Sequence, residues 1–136
     1  MKKYILRIAA LVCVFLLTGC AMVSDEHVKL RDLDFTVLGE EVIPGQLKKL
    51  IEEKGGEPFK FTYTDTENLY ICIGYGEQKG GGYSIAVDAL YLTDSNVCVS
   101  TTLLGPSAER EADPNSTSFP YIVIKTEKLE QPVMFE

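Results

Sequence analysis

The chain has 136 residues, with 13 Lys and Arg against 20 Asp and Glu, a formal charge of −7 and 46% hydrophobic residues. That length closes one hydrophobic core and not two. The acidic balance repels phosphate backbones and anionic headgroups, which excludes nucleic acid and a polybasic membrane contact as partners.

In chain order the first element is an export signal. Lys2, Lys3 and Arg7 precede an uncharged run from Ile8 to Val23, which contains Leu17-Thr18-Gly19-Cys20. A basic head, a short apolar run and small residues before a cleavage point form the secretory pattern. The run is shorter than the roughly 20 residues that span a bilayer. The tetrad resembles the bacterial lipobox, and the resemblance implies cleavage before Cys20 and lipidation of that thiol with palmitate-type chains. Residues 1–19 are then a signal peptide, residues 20–32 a lipidated tether, and residues 33–136 a single β-rich domain. Two or more acyl chains would hold that domain stably at the extracytoplasmic face of the cell membrane, or at an outer membrane where the host has one. Residues 20–136 keep ten Lys and Arg against twenty Asp and Glu, a balance of −10, which helps to keep a tethered domain soluble.

Leu33, Phe35 and Val37 alternate with Asp34 and Thr36, the two-residue period of a half-buried strand. After Pro44-Gly45, residues 46–54 place Leu47, Leu50 and Ile51 at i, i+3 and i+4 among charges, which predicts one short amphipathic helix. Gly55-Gly56 stops it. Alternating strands follow at residues 59–63, 69–75, 83–90 and 97–103, separated by polar or glycine-rich turns. Residues 105–118 read as a long surface loop, residues 119–125 as a further strand, and residues 131–135 as a short edge strand. The fold class is mainly β, bordering on α+β: an antiparallel meander or small sandwich with one N-terminal helix. If the strands at 69–75, 83–90 and 97–103 are consecutive neighbours, Cys72 and Cys98 lie about 10 Å apart across a middle strand. A disulfide needs Cα atoms within about 7 Å, so two free thiols are expected unless the sheet folds over on itself.

Chemistry finds little support. The segment Gly74–Ile85 is glycine-dense, but Lys79 precedes its glycines and a strand follows, the wrong context for a phosphate or dinucleotide loop. The one histidine, His27, falls in the tether, so a Ser-His or Cys-His relay lacks a positioned base. No metal-ligand spacing is present, and solvated turns are the better reading of Asp65–Asn68 and Asp113–Asn115 than a calcium loop. Asn115-Ser116-Thr117 matches a glycosylation acceptor that means little behind a bacterial signal. The acid pairs Glu40-Glu41 and Glu52-Glu53 read as ordinary surface. No enzyme activity, cofactor or metal is expected.

Gly80-Gly-Gly-Tyr-Ser-Ile-Ala-Val87, then a strand, a loop and Phe119-Pro-Tyr-Ile-Val-Ile124, resembles the C-terminal domain of the PrcB family over roughly residues 69–126. Members of that family are accessory subunits of bacterial surface protease complexes. The family's usual threonine before Gly-Gly-Tyr-Ser-Ile is Gly80 here, which removes a side-chain role but leaves the turn. The resemblance implies a non-catalytic protein-binding subunit whose partner is an envelope protein, a protease among the candidates. Gly81, Gly82, Tyr83, Phe119, Pro120 and Tyr121 are the expected contact residues, with an exposed strand edge as a further docking element. The alternative is a solute- or peptide-binding lipoprotein with a pocket between sheet and helix. For Tyr83, Phe119 and Tyr121, plain core packing stands as an equal reading.

Overall fold

The run Leu69-Tyr-Ile-Cys-Ile73 dictates the layout, because a strand with no polar face must be covered on both sides. In the computed structural model, which describes residues 28–107 and 115–136, this run lies in β4 (Asn68–Gly74). Leu69, Ile71 and Ile73 join the core between two sheets. Tyr70 and Cys72 face a second apolar cluster, under a helix. The remaining strands are β1 (Lys29–Asp32), β2 (Phe35–Val37), β3 (Phe59–Thr64), β5 (Gln78–Lys79), β6 (Ser84–Thr93), β7 (Val97–Leu104), β8 (Thr117–Ser118), β9 (Tyr121–Glu127) and β10 (Val133–Phe135). One four-stranded sheet runs β2-β9-β4-β3 and the other β1-β6-β7-β10, while β5 and β8 form a separate two-stranded ribbon. All pairings are antiparallel except that of β10 with β7. The fold is mainly β, as expected.

Helix α1 (Gly45–Glu53) turns Leu47 and Ile51 onto the β4–β9 face, where Leu47 is fully buried beside Ile43, Tyr70, Cys72 and Val123. It ends before Gly55 and Gly56, both at positive φ, the left-handed conformation that terminates helices.

Of the meander and the small sandwich, the structure is the sandwich. β4 belongs to one sheet, and β6 and β7 to the other. The chain crosses between sheets because the strands carry more apolar surface than one helix can cover. Cys72 and Cys98 are both free and buried, as expected, but for a different reason. Cys72 faces the helix, while Cys98 alternates with the core residues Val97 and Val99 and so points to the outer side of the other sheet. Sheets stack about 10 Å apart, so the thiols are turned away from each other beyond disulfide reach.

Three local readings also change. Residues 29–32, expected in the tether, form β1 and pair with β6. Leu33 is buried, but Phe35 and Val37 are exposed, because the chain steps from one sheet to the other at Leu33-Asp34 and β2 becomes an edge. The alternation expected over residues 83–90 is interrupted: a register shift between Val87 and Ala89 passes the inward positions to Leu90 and Leu92. The extra residue, Asp88, is exposed and accepts a hydrogen bond from Thr102. A bulge of this kind inverts the alternation beyond it. The signal, Cys20, His27 and residues 108–114 of the long loop lie outside the described residues.

Candidate docking groove at Phe119–Tyr121

β9 starts at Tyr121, with Pro120 just before it, where a missing N–H costs no ladder bond. The Pro120 carbonyl accepts a hydrogen bond from Tyr75 N at 3.0 Å, which fixes the approach of the chain. Phe119 lies across Gly56: a Cβ there would sit 2.7 Å from Phe119 Cε1, at a φ of +85°. Space and conformation both demand glycine at that point. Phe119 nevertheless remains 53% exposed.

Tyr121 packs its ring 6.5 Å from that of Phe59, which stands 5.4 Å from Phe61. Its hydroxyl donates to Glu40 Oε1 at 3.4 Å. Burial, then the nearby Glu40 carboxylate, raises the phenol above its ordinary value, so it stays a neutral donor under physiological conditions.

Three depressions meet at this aromatic. One of about 250 Å³ is lined by Glu40, Lys48, Ile51, Glu52 and Tyr121. A second, of about 340 Å³, runs between Val37–Glu40 and Phe119–Val123. The third, of about 200 Å³, lies between the end of α1, Phe59 and Phe119–Tyr121. Together they form a groove with apolar walls and a rim carrying Glu40, Glu52, Glu57 and Lys48. Among the described residues no group of three His, Cys, Asp or Glu side chains could hold a metal ion.

Phe119, Pro120 and Tyr121 are thus brought together at one groove, whereas Gly81, Gly82 and Tyr83 do not line it. The glycine-rich stretch instead completes the β5–β8 ribbon. Gly80 N donates to Ser116 O at 2.6 Å, Ser118 Oγ donates to Gly80 O at 2.7 Å, and Tyr83 donates its hydroxyl proton to Lys79 O at 3.0 Å. Gly82 is exposed and Tyr83 half-buried. Ser118 of the ribbon directly precedes Phe119 of the groove. Sequence reasoning missed Glu40, Ile51, Glu52 and Phe59 as groove residues. Only the helical period of Ile51 and Glu52 hinted at them, since the wall is assembled from segments 60 to 80 positions apart.

The architecture of the described residues is that of a β-sandwich with an open surface groove and a covering α-helix. Residues 69–127, less than half of the chain, match the family model described as PrcB C-terminal, so this stretch is similar to a PrcB C-terminal domain. It contains β4 to β9, hence the inner strands of both sheets and the Phe119–Tyr121 wall. No curated protein and no solved structure matches the chain.

Proposed function

We propose that this chain is a non-catalytic accessory subunit, held at the extracytoplasmic face of a membrane by acyl groups on Cys20, whose Phe119–Tyr121 groove docks an envelope protein. A surface protease is the partner class that the PrcB resemblance implies. The observation that carries the reading is Phe119. A large aromatic is held over a glycine by local geometry, yet left half in solvent beside Tyr121, as an anchor residue of an interface would be. The groove lies open to solvent along Phe119, unlike the concave pockets that bury most of a small ligand. That favours a side chain or loop of a protein over an enclosed solute.

A photo-crosslinking residue at position 119, and another at Thr62 on the far edge strand, would test the proposal in intact envelopes. A protein adduct is expected from position 119 and none from position 62. The docking reading fails if neither position captures a protein while small solutes alone raise the melting temperature of the purified chain. The anchor is tested separately, by the acyl mass on Cys20 and its loss in Cys20→Ala.

A further inference from the structure

We propose that the β1–β2 side of the sandwich, residues 28–37, rests on the bilayer that carries the anchor; this depends on the acylation of Cys20 set out above. Among the described residues, eight large apolar side chains are exposed, and four of them, Val28, Leu30, Phe35 and Val37, lie in this one stretch. β1 is an edge of one sheet and β2 an edge of the other. Two residues, Leu33 and Asp34, join them, so the four residues lie along one edge of the sandwich.

Charge sets this side apart from the rest of the chain. Residues 28–37 carry Lys29 and Arg31 against Asp32 and Asp34, a local balance of zero in a mature chain of −10. Lys29 pairs with Asp32 at 2.6 Å, and Arg31 with Glu127. The basic groups are therefore engaged within the protein, and the acids that would repel a headgroup layer are partly neutralised. An apolar, charge-balanced strip suits the interfacial zone of a bilayer, where side chains dip and the edge backbone stays hydrated.

Chain length supplies the occupant. Lys29 lies 29 − 20 = 9 residues along the chain from Cys20, and fully extended that stretch spans at most about 32 Å. A lipid on Cys20 would thus hold β1 within that distance of the membrane at all times. Tethering converts a weak surface affinity into near-constant contact, because the second binding event is intramolecular. The opposite edges, β3 and β10, have no such proximity.

The chain contains no tryptophan, so single reporters can read the orientation. Leu30→Trp and Thr62→Trp both place the probe at exposed positions on opposite sides of the sandwich. The acylated full-length mature protein, its acyl mass verified, would be reconstituted in phosphatidylcholine vesicles containing dibrominated lipid. Quenching several-fold stronger at position 30 than at 62, and unchanged by added salt, is expected. Equal quenching at both positions in acylated protein overturns the surface while leaving the anchor in place. Absence of acyl mass overturns the anchor and the surface with it. A blue-shifted, concentration-dependent emission at position 30 without vesicles would assign the strip to self-association and equally overturn the proposal.

Discussion

The two stretches expected to act together, Gly80–Tyr83 and Phe119–Tyr121, lie in different surroundings. Both combine aromatic side chains with neighbouring glycine or proline. In the first, polar groups turn inward on the chain itself: the Tyr83 hydroxyl, Gly80 N and Gly80 O are all bonded within the β5–β8 ribbon. In the second, the rings are propped open by Gly56 and by the α1–β3 connection, and the surface between them faces solvent. The difference teaches that an aromatic stays accessible when a neighbour holds it without covering it, and that a turn becomes scaffold when its polar groups find partners nearby.

The harshest way to break the contrast is to remove the core beneath both stretches. Ile71→Ala, at a fully buried site between the sheets, should cost about 2–5 kcal/mol. Urea denaturation would show it, and groove and ribbon should fail together. Next in size is Gly56→Ala, which forces a side chain into positive φ and against Phe119. About 1–2 kcal/mol is expected from the backbone alone, with loss of partner crosslinking at position 119. If crosslinking survives, Phe119 does not depend on that support.

A smaller and purely structural loss is expected from Ser118→Ala, which removes the bond to Gly80 O. About 0.5–1.5 kcal/mol should disappear, with partner capture unchanged; lost capture would mean that the ribbon belongs to the interface. Phe119→Ser should show the reverse pattern. Its half-exposed ring contributes about 1 kcal/mol or less to stability, yet capture by a photo-crosslinking residue placed instead at Glu52 on the groove rim should vanish.

The buried thiols sharpen the picture at alkaline pH. Burial pushes the Cys72 thiol up to about 12, and the hydrogen bond with Glu136 pushes the Tyr91 phenol up to about 12. Both groups are neutral when protonated, so a raised folded value means that folding favours the protonated form. The stabilisation is complete below the unfolded values near 9 and 10, and drains away as pH rises towards 12. Denaturation midpoints should therefore fall between pH 9 and pH 12, less steeply in Cys72→Ala. At pH 8 the native chain should resist iodoacetamide at Cys72 and Cys98, and accept label at both once unfolded.

Much of the secondary structure was legible in residue patterns. The helix followed from Leu47, Leu50 and Ile51 at helical spacing and from its glycine stop. β3 followed from strict alternation over residues 59–63, and the tail strand from its apolar run, although its parallel pairing with β7 did not. Alternation reports which residues share a face only while pairing stays in register. The Asp88 bulge broke that condition and handed the core from Ile85 and Val87 to Leu90 and Leu92.

Strand character, the short helix α1 and the PrcB-like segment are properties of local residue order, and the linear chain determined them by itself. The division into two sheets, the exposure of Phe35 and Val37, and the groove were decided only in three dimensions. Each depends on contacts between residues far apart in the chain, such as Gly56 with Phe119 and Glu40 with Tyr121. Local periodicity records which side of a strand is apolar. What comes to cover that side is settled by the packing of the whole chain.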